Sequence, residues 1–260
     1  MIKYRFKTIW YLWITVAAIL AGCTSESSST DPAQRLVDQA IKAHGVQLFD
    51  HASIDFKFRD RYYKSTRTNG KYRYERFWDE NGVLTHDELT NSNFSRLINS
   101  KVVNLTSKDI DKFSNSVNAI FYFFALPYNL NDPAVIKEYL GEVTLMEQPY
   151  EKVKISFKQN ESDRMIHDDI YVYWFHKKNH TLDYMGYSYT EPDESGLRFR
   201  QAINRRKVNG MIVQDYINFK PINDSIPIPV QDLDMAWVGN QLQELSRIVN
   251  ESVKITPKKP

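Results

Sequence analysis

Three Asn-Gly pairs, Asn69-Gly70, Asn81-Gly82 and Asn209-Gly210, constrain this chain more than any other feature. Each lies between β-prone segments, and Asn-Gly tolerates the positive φ angles that a two-residue type I′ hairpin turn demands. They predict antiparallel neighbours. Sixteen Tyr and fourteen Phe point the same way, because aromatic rings pack well on a pleated surface. From Ile54 the chain alternates, with Ile54, Phe56 and Phe58 set against Asp55, Lys57 and Arg59, the pattern of a half-buried strand with an aromatic inner face. Further strands are expected at 72–77, 83–89, 153–157, 170–175, 182–189, 197–203 and 212–219. The run Ile170 to Phe175 is apolar on both faces, so it should lie inside a sheet with something packed on each side.

Helices are fewer. Asp31 can cap a helix beginning at Pro32, with Leu36, Val37, Ala40 and Ile41 on one face and His44-Gly45 closing it. Between Ser107 and Ala125, Ile110, Phe113, Val117, Ile120, Phe121 and Phe124 recur at three- and four-residue spacing, an amphipathic helix ended by Leu126-Pro127. A second short helix is expected after Asn131-Asp132-Pro133, reaching Tyr139-Leu140 before Gly141. For residues 242–255 the apolar positions fit a helix and a strand about equally well, and periodicity does not choose.

The N-terminus carries an address. Lys3, Arg5 and Lys7 precede an uncharged stretch from Thr8 to Leu20, the layout of an export signal and too short for the roughly 20 apolar residues of a membrane span. Leu20-Ala21-Gly22-Cys23 ends it. Small side chains before the chain's only cysteine suit a protease, and the thiol can receive a lipid through a thioether. This stretch resembles the lipobox of bacterial lipoproteins, which implies cleavage before Cys23, lipidation there, and incorporation of palmitate. The expected organisation is a signal peptide at 1–22, a polar flexible tether at 23–31 and a single domain at 32–260. Losing Lys3, Arg5 and Lys7, three positive charges, takes the formal net charge from +2 to −1. A near-neutral body without a basic patch argues against nucleic-acid binding. With no further cysteine, stability must come from an ordinary core.

Several segments appear in a suggestive order: Tyr139-Leu140-Gly141, His167-Asp168-Asp169-Ile170-Tyr171-Val172-Tyr173-Trp174, Tyr187-Ser188-Tyr189, Gly196-Leu197-Arg198-Phe199-Arg200 and Val208-Asn209-Gly210. With them the chain resembles an uncharacterised family of bacterial lipoproteins, similar in architecture to LolA, LolB and related lipoprotein-sorting folds. That resemblance implies a mainly β (α+β) fold, a curved antiparallel sheet forming an unclosed barrel with helices over an apolar concave face. It carries over no functional residues, because fold alone does not assign an activity.

Candidate sites are weighed against ordinary structural roles. In His167-Asp168-Asp169 only His167 and Asp169 share a strand face, short of the three or four ligands of a zinc site, so a polar strand start is preferred. His176 and His180 are separated by Lys177-Lys178-Asn179, which reads as a turn and not as a helical metal clamp. Arg198 and Arg200 share a face. They can meet an anionic head group or, more commonly, carboxylates on neighbouring strands. Phe56, Phe58, Tyr72, Tyr74, Phe113, Phe121, Phe124 and Trp174 can line a lipid cavity, or they can be core. No Gly-rich phosphate loop, Gly-x-Ser-x-Gly elbow or His-Glu-x-x-His helix is present, and neither a cofactor nor a catalytic site is expected. The expectation is a membrane-anchored cell-envelope lipoprotein, on the outer or inner membrane and facing the periplasm, that holds an apolar ligand such as an acyl chain. The other reading is an envelope scaffold with no interior ligand.

Overall fold

The computed structural model describes residues 31–158, 170–191 and 194–258; the export signal, Cys23 and the His167-Asp168-Asp169 cluster lie outside the described residues. In order, the elements are α1 (Pro32–His44), β1 (Ala52–Phe58), β2 (Arg61–Thr68), β3 (Lys71–Glu80), β4 (Val83–Thr90), β5 (Phe94–Ile98), β6 (Lys101–Val102) and α2 (Ser107–Phe124). Then follow β7 (Val135–Leu145), β8 (Gln148–Phe157), β9 (Tyr171–His176), β10 (Leu182–Glu191), β11 (Glu194–Val208), β12 (Met211–Pro221), α3 (Leu233–Val238), β13 (Leu242–Ile248) and β14 (Asn250–Pro257).

The strands form two antiparallel sheets, ordered β14-β1-β2-β3-β4-β5-β6 and β13-β12-β11-β10-β9-β8-β7. Only Val249 separates β13 from β14. Ile248 pairs with Tyr216 of β12 and Asn250 with Phe58 of β1, so one bent stretch of chain passes from sheet to sheet and forms a corner. Asp215 holds that corner, its Oδ1 accepting from the Asn250 N–H at 2.9 Å. The edges β6 and β7 stay unpaired with each other, and the chain crosses from one to the other through α2. This is an unclosed, mainly β half-barrel, as expected, with α1 and α2 packed on its inner core and α3 on the outer face of the second sheet.

All three Asn-Gly pairs close hairpins. Thr68 faces Lys71, Glu80 faces Val83 and Val208 faces Met211, and both residues of every pair have positive φ. The first helix also forms as its sequence requires: Asp31 accepts from the Ala33 N–H at 2.9 Å, and Leu36, Val37, Ala40 and Ile41 are buried. It stops at Gly45, φ +64°, where a Cβ would lie 2.2 Å from the Gly210 carbonyl oxygen. Glycine is therefore required both by the left-handed turn and by the close approach of the β11–β12 hairpin. Just before it, His44 Nε2 accepts from the Leu182 N–H at 2.9 Å. Burial, aided by the positive Arg205, pushes the His44 pKa down to about 3.

One expected element is different. The short helix after Pro133 is instead β7, paired along its length with β8. Local spacing suggested a turn of helix, but ten residues of ladder with β8 satisfy the backbone better than an isolated short helix can. Gly141, φ +95°, takes the bulge that follows Tyr139. The β7–β8 turn is Met146-Glu147, both at positive φ, a hairpin without the usual Asn-Gly signal. Residues 242–255, left open by periodicity, fall in β13 and β14, because β12 and β1 each offer an edge for them to pair.

As its two-faced apolarity predicts, β9 is covered on both sides. Tyr173 and Phe175 join the inner core shared by both sheets and α2, while Val172 and Trp174 pack outward against Leu233 and Ala236 of α3. On that outer face the buried Asp234 is answered: it accepts from Lys152 Nζ at 3.2 Å and from Trp174 Nε1 at 3.0 Å.

Candidate functional site

The roof of the half-barrel is α2, and its two ends are held differently. Thr106 caps it, accepting from the Asp109 N–H at 3.2 Å, and Arg76 of β3 donates to Ser116 Oγ at 2.8 Å. Phe121 stacks on Tyr74 at 4.2 Å between centroids, and Phe124 on Phe56 at 4.3 Å. Yet within this 18-residue, Phe-rich helix only Val117 and Phe121 are fully buried. Ile120, Phe123 and Phe124 are half-buried, and they border empty space.

That space is a cavity of about 280 Å³ between α2 and the sheet corner. Its apolar wall is Ala119, Ile120, Phe123 and Phe124 of α2, Phe58 of β1 and Ile248 of β13. The polar wall is Arg200 of β11, Tyr216 and Asn218 of β12, Ser246 of β13 and Asn250, with Arg59 exposed at the rim. Pairing puts these polar groups side by side, since Arg200 faces Asn218 and Asn218 faces Ser246 across their ladders.

Two of these groups are incompletely satisfied. Arg200, 8% exposed, donates from Nη2 to the Tyr187 hydroxyl at 2.7 Å, and its guanidinium lies 4.2 Å from the Phe123 ring centroid. Its Nε is buried with no hydrogen-bond partner, and Arg200 makes no ion pair among the described residues. Asn218, 7% exposed, bonds Ser246 Oγ weakly at 3.4 Å through Nδ2, and its Oδ1 has no partner. A buried polar group without a partner costs about 1–3 kcal/mol, and these two belong to residues on the wall of one hollow. The sequence expectation that Arg200 pairs with a cross-strand carboxylate is thus corrected: the register opposite it supplies Asn218 on one side and Met185 on the other. Arg198, on the same face, donates to the Tyr189 hydroxyl at 2.5 Å and to the Leu197 carbonyl at 2.9 Å.

Of the aromatic residues singled out from sequence, Phe58 and Phe124 line the cavity. Phe56, Tyr74 and Phe121 form the packed wall next to it. Phe113 sits further along α2, stacked under the Arg96 guanidinium at 3.6 Å. Tyr72 borders a separate polar groove with Thr66, Lys71 and Thr90, and Trp174 lies on the outer face of the second sheet. Sequence reasoning missed Asn218, Ser246 and Asn250. Their only signal was position, polar residues on strands that face a core, and their strand register was not readable in advance. His176 ends β9 and is buried, with Nδ1 accepting from the Lys178 and Asn179 N–H groups at 3.1 and 3.2 Å, which makes it a turn cap. Among the described residues no group of three or more His, Cys, Asp or Glu is placed to hold a metal, and no helix is long and apolar enough to cross a membrane.

Fold and cavity define the class: an antiparallel half-barrel left open at one side and roofed by a helix over an apolar hollow. Within that class the chain belongs to a family of unknown function (DUF6503), whose model matches residues 7–246. Among solved structures it is similar to a LolA superfamily protein from Nitrosomonas europaea, 11% identical over 88% of this chain and 94% of that one, TM-score 0.49. It is similar as well to a DUF1329 family protein from Desulfovibrio piger, 13% identical over 86% and 93%, TM-score 0.48. A putative outer membrane lipoprotein-sorting protein domain from Vibrio parahaemolyticus is 10% identical over 72% and 86%, TM-score 0.40. No curated protein matches the chain. Likenesses this distant decide nothing about activity.

Proposed function

We propose that this protein is a cell-envelope lipoprotein that holds an apolar ligand, such as an acyl chain, in the cavity beneath α2. In this reading the signal peptide is removed before Cys23, lipid on Cys23 anchors the chain to the outer or inner membrane, and residues 23–31 tether a single domain, 32–260, facing the periplasm. More than one acyl chain suffices for stable anchoring, at about 0.8 kcal/mol per buried methylene. The observation that carries the ligand is the hollow itself. Side chains that could have closed on one another, Phe58, Ile120, Phe123 and Phe124, instead border about 280 Å³ of space. Protein interiors are otherwise close-packed, and a cavity of this size lies near the lower end of those that take small organic ligands. Phe58 and Phe124 are the proposed ligand contacts among the aromatic candidates.

Native mass spectrometry of the purified protein tests this directly. Co-purified lipid, released on unfolding, supports it. An empty protein that also fails to take up added fatty acid, together with a stable protein partner recovered by envelope crosslinking, would replace it with the scaffold reading. Labelling with radioactive palmitate tests the anchor separately: label on the wild type and none on Cys23→Ala is expected.

A further inference from the structure

We propose that the cavity ligand carries an anionic head group, a carboxylate on an alkyl chain, and that Arg200 is the residue that receives it. This rests on the apolar-ligand reading and adds the chemistry of the ligand's polar end. The cavity is two-sided, with rings of α2 on one wall and Arg200, Asn218 and Ser246 together on the other. A purely hydrocarbon occupant would leave the second wall unsatisfied. Arg200 is more than nine-tenths buried, carries a full positive charge, and has an Nε–H without an acceptor. The faces of Phe123 and Tyr187, 4.2 and 5.1 Å from the guanidinium, offset a buried cation only in part. An anion at this position removes that deficit and gains a charge-assisted hydrogen bond.

Asn218 completes the arrangement. Its amide oxygen and nitrogen are interchangeable by a flip, and the flipped amide accepts from the Ser246 hydroxyl and holds its N–H₂ free to donate. Arg200 and Asn218, paired across β11 and β12 and both lining the cavity, then meet one carboxylate from neighbouring strands. Arg59, exposed at the rim beside Phe58, adds positive charge at the mouth. The alkyl chain extends from that head along Phe123, Phe124 and Ile120. A neutral ligand of equal length, an alcohol, makes the same apolar contacts and leaves the Arg200 charge unanswered.

The test compares laurate with dodecanol in titrations of the purified protein at about pH 8, where a carboxylic acid is fully ionised. Laurate is expected to bind at least about tenfold more tightly than dodecanol. In Arg200→Met this preference should collapse to about one, and in Arg200→Lys part of it should return, because charge is kept and the fork geometry is lost. Equal binding of the two probes to the wild type overturns the anionic head while leaving the apolar cavity standing. A preference that survives in Arg200→Met overturns the assignment to Arg200. Failure of both probes to bind overturns the apolar-ligand reading, and the head-group assignment falls with it. The wild-type comparison needs no variant to fold.

Discussion

Arg76 of the first sheet and Arg200 of the second are both buried strand arginines that touch α2, and their surroundings are opposite. Arg76 donates from Nε and Nη2 to Asp87 Oδ2 at 3.0 and 2.6 Å, and from Nη1 to Ser116. Asp87, fully buried, also accepts from Arg96 at 2.6 and 2.9 Å. Arg200 has one tyrosine hydroxyl and two ring faces. A buried cation with every guanidinium nitrogen hydrogen-bonded is part of the wall, and removing a partner exposes how much the wall depends on it. A buried cation left unmatched beside empty space is held in that state by the rest of the fold, which is the usual mark of a site.

The largest expected effect tests the sealed half. Asp87→Ala leaves two arginines without their acceptor and should lower stability by about 3–5 kcal/mol in urea unfolding. Stability within about 1 kcal/mol of wild type would show that the first sheet is no more dependent on its charge pairing than the second. Along α2 the same contrast appears between packed and cavity-facing rings. Phe121→Ala should cost about 3–5 kcal/mol, and Phe123→Ala distinctly less, since part of its surface already faces empty space. Equal losses in thermal unfolding would place the two rings in equivalent packing.

Acid separates the halves again. The His44 pKa is about 3 in the folded chain against 6.5 when unfolded, so between these values the unfolded chain binds a proton that the native state refuses. Its contribution to stability is complete above pH 6.5 and declines as pH falls toward 3, by more than about 1 kcal/mol per unit. Urea midpoints measured from pH 7 to 4 should show this slope, and His44→Gln should flatten it. The smallest effect is expected at the open half. Arg200→Met should change stability by less than about 1 kcal/mol, because it removes an unmatched cation, while Arg76→Met should cost about 2 kcal/mol.

Much of this contrast was unreadable from the chain alone, for identifiable reasons. The Asn-Gly hairpins were legible because a two-residue turn depends on two residues, and Asp31-Pro32 and Gly45 marked α1 in the same local way. The strand β7 was not, since its turn is Met146-Glu147 and its partner β8 decided the matter. Arg200 could be placed on a face with Arg198, but its neighbours could not be named, because one residue of register in β11 or β12 exchanges every side chain facing it. The bulge between Ile203 and Arg206 sets that register.

By itself, the sequence determined the mainly antiparallel architecture, the amphipathic roof and the N-terminal pattern that resembles a lipid-attachment signal, all of which are written in spacings of a few residues. Tertiary structure alone decided that β13 and β14 bend into a corner, that α2 stands off from it, and that Arg200 and Asn218 meet there without partners. Short-range patterns fix local conformation. Whether apolar side chains touch or leave room, and whether a charge is answered, depends on residues brought together from β1, α2, β11, β12 and β13, which no local pattern encodes.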